Sequence, residues 1–238
     1  MANLVVDIGN TALKAAWADG VTLGKTFRYQ GERMTDFILS IAGKSRPDVL
    51  VVSSVREISQ EDSFRMAAVC GRLVTIDSSN KDIYREKGVP GYVSPDRLAS
   101  IVAAGYLFKG KGCTIFDFGT TLTVDFLDSD GLYEGGNISP GCRTRFKALN
   151  RYSRSLPLLD TPDVVSEKGS SLAGSIESGV ISGIMFEIKG YFDMYPENIV
   201  IFTGGDAIYF AKRVKKAIFV VCNLVLMGLA ILADEYVG

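Results

Sequence analysis

The sequence predicts an α/β protein of two lobes, each built on a mixed β-sheet flanked by helices. Three observations carry that prediction. Short β-branched or aromatic runs alternate with helical patterns along the chain. Two of those runs end in near-copies of one turn, Asp7-Ile8-Gly9-Asn10-Thr11 and Asp117-Phe118-Gly119-Thr120-Thr121. The loop Lys109-Gly110-Lys111-Gly112 stands immediately before the second turn, so the lobes are expected to span 1–110 and 111–238.

Taken in order, Leu4–Val6 reads as a buried strand ended by the first turn, and Ala15–Ala18 as the strand after it. Met34–Ala42 has a helical pattern, Val49–Val52 is a strand, Glu61–Cys70 a helix and Leu73–Ile76 a strand. Asp96–Phe108 is helical and opens with Ser94-Pro95-Asp96, with proline at N1 and an acid in the first turn. Thr114–Phe116 and Leu122–Phe126 are strands around the second turn, with Asp125 on the second of them expected to face solvent or a partner residue. Gly135–Gly141 reads as a glycine-rich loop between strand and helix. Ile176–Tyr195 is helical, and Ile199–Phe202 is a strand leading into Thr203-Gly204-Gly205-Asp206.

The apolar segment Ala217–Ala233, 17 residues long, sits at the lower edge of a membrane span. Asn223 divides it into a strand, Ala217–Val221, and an N-capped helix, Leu224–Tyr236, so no membrane is needed.

Composition narrows the chemistry. Net charge is −1 with no block of like charges, so nothing marks a nucleic-acid surface. Histidine is absent, which excludes Ser-His triads and His-bound zinc and leaves Asp, Glu, Lys, Tyr or Cys as general acid or base. The cysteines Cys70, Cys113, Cys142 and Cys222 are scattered; Cys113 and Cys222, in or beside apolar runs, suit buried, reduced thiols. With no signal-peptide pattern at the N-terminus, the expected location is cytoplasmic.

The paired turns suggest their own function. Glycine lets backbone come close to a ligand, and the hydroxyl and N–H groups beyond it can hold phosphate oxygens. A carboxylate at the strand end can organise the accompanying cation. One such turn is an ordinary hairpin closure; two point to paired lobes gripping a nucleotide.

The ordered set Asp7-Ile8-Gly9-Asn10-Thr11-Ala12-Leu13-Lys14, Asp96-Arg97 opening a helix, Asp117-Phe118-Gly119-Thr120-Thr121 and Gly135-Gly136-Asn137-Ile138-Ser139-Pro140-Gly141 resembles the type III pantothenate kinases. That family belongs with acetate and sugar kinases, actin and the heat-shock ATPases. The resemblance covers almost the whole chain. It implies two tandem ribonuclease H-like lobes, a homodimer, and phosphorylation of pantothenate by ATP to 4'-phosphopantothenate, the first step towards coenzyme A.

By the same resemblance, Asp7 organises Mg²⁺ through water, and the stretch from Ile8 through Gly9, Asn10, Thr11, Ala12 and Leu13 to Lys14 receives the ATP phosphates. Thr120 contacts ATP, and Asp117 binds a monovalent cation, K⁺ or NH₄⁺. Asp96 is the implied general base, and Arg97 the implied grip on the substrate carboxylate. Tyr92, Ser94, Pro95 and Ser171 complete the implied substrate set, with Tyr84 and Ser170 as alternatives to Tyr92 and Ser171.

The residues permit these roles. Phosphoryl transfer needs positioning and charge neutralisation more than covalent help, and a planar guanidinium is well shaped for a carboxylate. The chain departs from the family pattern at Ser94, where the family has glycine, and at Pro95; both stiffen backbone that passes close to substrate. Two other readings stand beside the kinase: a non-catalytic nucleotide-binding regulator, and a kinase for another small hydroxylated acid.

Overall fold

The computed structural model describes residues 2–77 and 80–237. Its elements run β1 (Asn3–Ile8), β2 (Leu13–Asp19), β3 (Thr22–Tyr29), α1 (Met34–Ala42), β4 (Val49–Ser54), α2 (Gln60–Ala67), β5 (Arg72–Ile76), α3 (Lys81–Glu86) and α4 (Pro95–Leu107). There follow β6 (Cys113–Phe118), β7 (Thr121–Leu127), β8 (Tyr133–Pro140), α5 (Cys142–Tyr152), α6 (Leu172–Met194), β9 (Ile199–Gly204), α7 (Ala207–Ala211), β10 (Phe219–Val220) and α8 (Leu224–Glu235).

The strands form two five-stranded sheets, ordered β3-β2-β1-β4-β5 and β10-β9-β6-β7-β8. In the first, β1 pairs antiparallel with β2 and parallel with β4, and β4 pairs parallel with β5. In the second, β6 pairs antiparallel with β7 and parallel with β9, and β9 pairs parallel with β10. The orders are the same if β6 to β10 are read as second copies of β1 to β5. The central strands β1 and β6 are buried apart from one half-buried position each, Asp7 and Asp117, where side chains meet the sheet's end.

The chain divides into two compact units. The first comprises Met1–Lys109, Gly131–Tyr133 and Asn223–Gly238, and the second Gly110–Asp130 and Glu134–Cys222. In the first unit one core joins Leu4, Val6, Leu13, Ile38, Leu50, Val52 and Met66 between the sheet and α1 and α2. On the other face α8 packs against α4, closely enough that a Cβ on Gly228 would lie 1.8 Å from the backbone oxygen of Ala99. In the second unit Phe116, Phe118, Phe202 and Phe210 pack ring against ring beside Phe146 and Ile184.

Several sequence expectations change here. Strand β3 has only half-buried or exposed side chains, so it lacks the apolar run by which the other strands announce themselves. The glycine-rich stretch expected as a loop is strand β8, whose mostly exposed residues hide it from hydrophobic pattern. Helix α5 buries only Cys142 and Phe146, too little for a visible stripe. The strand expected over 217–221 is two residues long, and Asn223 stands at the start of α8 without a side-chain capping bond. Of the two surroundings expected for Asp125, the partner residue holds and solvent does not: it lies buried in β7, 1% exposed, and interacts with other groups of the protein. Cys70, Cys113 and Cys142 are buried free thiols, but Cys222 is exposed, because residues 219–223 are all exposed or half-buried and burial resumes only at Leu224, the first residue of α8. Among the described residues no helix is long and apolar enough to cross a membrane.

Candidate active site

In the first unit the site is built where β1 and β4, parallel neighbours, end side by side. Ligand sites in such sheets gather beyond the carboxyl ends of parallel strands. Asp7 stands in register with Lys14 on β2 and Ser53 on β4, and the Ser53 hydroxyl donates to Asp7 Oδ1 at 3.4 Å. The N–H of Gly9 donates to the carbonyl of Ala12 at 3.1 Å, which closes the loop and leaves Asn10 and Thr11 exposed at its tip. Ile8 and Leu13, by contrast, are buried, so they anchor the loop and only the backbone of these two can meet a ligand.

The chain leaving β4 is stitched to that loop. The N–H of Val55 donates to the carbonyl of Ile8 at 3.3 Å, and Arg56 Nη2 donates to the carbonyl of Asn10 at 2.6 Å. Ser54 fixes the turn: its hydroxyl accepts from the Arg56 N–H at 3.1 Å and donates to the Arg56 carbonyl at 2.7 Å. A cavity of about 420 Å³ opens here, lined by Ser54, Val55, Arg56, Glu57, Ile58, Asp77, Ser94 and Pro95. It therefore joins the exit of β4 to the start of α4.

Helix α4 begins as its sequence dictates, with Ser94 extended at the N-cap and Pro95 at N1. Asp96 is half-buried, and its Oδ1 accepts the Arg97 N–H at 2.9 Å. Its other oxygen has no hydrogen-bond partner among the described residues. Arg97 is buried, 5% exposed, and donates from Nη2 to the Tyr133 hydroxyl at 3.1 Å within the same unit. Tyr84 is buried near Asp96 and Asp77. Burial first, and then the charges of these two carboxylates, push its hydroxyl up to about 12. Tyr92 is 74% exposed.

In the second unit the corresponding turn repeats the pattern. Asp117 stands in register with Thr123 on β7 and Thr203 on β9, as Asp7 stands beside Ser53. Gly204, at φ +89°, lies so near that a Cβ there would be 2.4 Å from Asp117 Oδ1 and 2.6 Å from the Phe118 carbonyl oxygen. The turn is held by Gly119 N–H to Thr121 O at 3.0 Å and by two bonds to the Thr120 carbonyl: Gly141 N–H at 3.1 Å and the Thr144 hydroxyl at 2.6 Å. Thr120 itself is exposed. Gly141 is needed because a Cβ would meet Gly119 O at 2.1 Å. The Asp206 N–H donates to Phe118 O at 3.2 Å, and burial pushes its carboxyl above the ordinary range, opposed by Arg143. Ser171 caps α6, its hydroxyl accepting the Gly174 N–H at 3.1 Å.

The sequence reading passed over Ser53, Arg56 and Asp77. All three follow or end strands parallel to β1, and that topology was the signal that could have found them; nothing in their local sequence does.

A sequence model of the type III pantothenate kinases matches residues 3–194. The chain is 36% identical to the type III pantothenate kinase of Cytophaga hutchinsonii over 232 residues, 95% of this chain and 96% of that one. It is 35% identical to that of Phocaeicola vulgatus and 34% to that of Flavobacterium johnsoniae, again over 95% of this chain and, for the former, 96% of the relative. Among solved structures, a putative Baf family transcriptional activator from Campylobacter jejuni superposes with a TM-score of 0.64 at 20% identity, over 98% of both chains. The ROK hexokinase of Thermus thermophilus superposes at 0.56 and 13% identity, over 100% of both. These two likenesses show the fold, that of the actin-like ATPases and sugar kinases.

Proposed function

The chain belongs to the type III pantothenate kinase family, and we propose that it transfers the γ-phosphoryl group of ATP to the primary hydroxyl of pantothenate. One observation supports this reading above the others: the cavity that joins the loop-bound exit of β4 to Ser94 and Pro95, beside Asp96. The acceptor oxygen bonds to the γ-phosphorus while the bond to the β,γ-bridging oxygen breaks, its electron pair leaving on ADP. The hydroxyl proton passes to the open oxygen of Asp96. The loop from Asp7 to Lys14 and the turn at Thr120 receive phosphates, and Arg97, Ser94, Pro95, Ser171 and Tyr92 or Tyr84 shape the acceptor side. In this reading the chain divides into lobes at 110/111, and the segments Gly131–Tyr133 and Asn223–Gly238, α8 among them, pack with the first lobe rather than the second.

The donor sets suit the implied cations. Among the described residues no group of three or more His, Cys, Asp or Glu forms a metal cage. Mg²⁺ needs none, being held by one or two carboxylates, water and substrate phosphates; Asp7 is the carboxylate. At Asp117 the Gly204 backbone comes so close that no side chain fits beside Oδ1, and the half-buried carboxylate at the strand end is the oxygen ligand a monovalent cation would take. Bound there, the two cations would supply neutralisation of phosphate charge.

The homodimer is supported by an apolar face of the second unit. A cavity of about 800 Å³ is lined there by Leu149, Tyr152, Leu156, Leu172 and Ile176, and Tyr152 is 83% exposed. Light scattering should give twice the chain mass and a Tyr152→Glu variant the single mass; a monomeric wild type would refute the dimer. A cytoplasmic location completes the reading.

The decisive assay couples ADP release to pantothenate in K⁺ buffer. Pantothenate-dependent turnover is expected, falling by about 10²–10⁴-fold in Asp96→Asn while nucleotide binding is kept. An active Asp96→Asn enzyme would overturn the base. Nucleotide binding without turnover would favour the regulator, and turnover with a different hydroxy acid the other kinase.

A further inference from the structure

We propose that Arg56 contacts the phosphoryl group in flight and neutralises the charge on its non-bridging oxygens; this rests on the nucleotide-binding part of the reading above. Three observations carry it. The residue is delivered to the phosphate loop itself, with Nη2 on the carbonyl of Asn10 at 2.6 Å. Only one of a guanidinium's five N–H donors is spent there, and on a neutral acceptor. Among the described residues Arg56 makes no ion pair; Glu57, beside it on the same cavity wall, does not take it up.

The placement is built. The Ser54 hydroxyl grips both the N–H and the carbonyl of Arg56, and Val55 is bonded to Ile8. The side chain thus starts from a fixed backbone between two parallel-strand ends. The cavity that Arg56 lines also reaches Ser94 and Pro95, the turn that opens α4 at Asp96. A cation between the phosphate loop and the base lies where the transferred group passes from donor to acceptor.

Transfer through a loose transition state spreads negative charge over three equatorial oxygens, and a preorganised guanidinium is matched to two of them at once. The Asn10 bond preorganises it: one N–H holds the head in place beside the cavity and leaves the others for a ligand. Lys14, also without an ion pair among the described residues, leaves β2 in register with Asp7 and is a compact cation for the donor phosphates. The two cations therefore divide the work, Lys14 on the resting nucleotide and Arg56 on the moving group.

The test compares wild type with Arg56→Ala, Arg56→Gln and Arg56→Lys. Turnover in Arg56→Ala should fall by about 10²–10³-fold with KM for ATP changed less than threefold. Guanidinium ion at tens of millimolar should restore part of it in Arg56→Ala and none in Arg56→Gln, which fills the space. Independently of any acceptor, wild type should bind ADP more tightly when aluminium fluoride is present, and Arg56→Ala should lose that gain while binding ADP alone unchanged.

A change in KM for ATP with kcat intact would overturn the proposal, because it marks an arginine that grips the resting nucleotide equally. Unrescued loss accompanied by weaker ADP binding would overturn it too, as the mark of a collapsed loop. If wild type shows the fluoride gain but no pantothenate turnover, the substrate assignment fails and Arg56 is still decided by the ADP arm. If pantothenate turns over and Arg56→Ala is indifferent in both arms, Arg56 fails and the kinase stands.

Discussion

Replacing Gly228 by alanine adds one methyl group where helices α4 and α8 meet. Its Cβ would fall 1.8 Å from the Ala99 carbonyl oxygen and 2.5 Å from the Ala99 carbonyl carbon, where ordinary contact begins at 3.4 Å. Both obstacles are backbone, so no rotamer change relieves them and the helices must part by about 1.5 Å. Overpacking of this kind costs about 1–3 kcal/mol. A helical Gly→Ala change also returns about 1 kcal/mol of propensity, so the net loss is about 2 kcal/mol at most. For a chain of this size that lowers Tm by about 4–8 °C. The effect on rate should be larger than on stability. Ala99 is one helical turn beyond Asp96, and a displacement of about 1 Å at a reacting group can cost 10²-fold. Differential scanning fluorimetry and the coupled ADP assay read the two effects. Gly190→Ala is the control: it lies in α6, exposed, with nothing within 4 Å of the added carbon, so it should hold or raise Tm. A Gly228→Ala protein with unchanged Tm and turnover would refute the close approach of the helices and the dependence of Asp96 on it.

Two further outcomes follow from the same geometry. Gly204→Ala places a methyl against Asp117 Oδ1 at a positive φ that side chains rarely adopt; it should blunt the activation of turnover by K⁺ more than it lowers nucleotide affinity, and an unaltered K⁺ titration would remove Asp117 as the cation's holder. Tyr84, held near 12 against an ordinary 10, keeps its proton in the folded chain after the unfolded chain has begun to lose it. Its contribution is complete below pH 10 and is lost as pH rises through 12, by roughly 3 kcal/mol in all. Urea midpoints measured from pH 9.5 to 11 should fall less steeply in Tyr84→Phe than in wild type; parallel curves would sink this assignment. Cys113, pushed to about 11 by burial, adds a similar but earlier loss that both proteins share.

Local sequence was enough for the parts of this protein whose residues carry their own constraints. Asp7 and Asp117 end apolar runs that can only be central strands, and the glycines after them mark turns. Pro95 and Asp96 mark the start of α4, and Met34–Ala42 announces α1 by its periodicity. Elements that bury little left no such trace. Edge strands β3 and β8 satisfy half their backbone in the sheet with polar or glycine residues, and α5 commits only two side chains to the core.

What pairs with what was decided only by tertiary structure. The second sheet repeats the strand order of the first without repeating its sequence, because topology constrains hydrogen bonding and burial rather than residue identity. The parallel pairing of β1 with β4 brings Ser53 to Asp7 and Arg56 to Asn10 across 46 residues of chain. No window of sequence contains both partners of such a contact. Closure of the sheet creates the site, and the residues that serve it become recognisable only once they are neighbours.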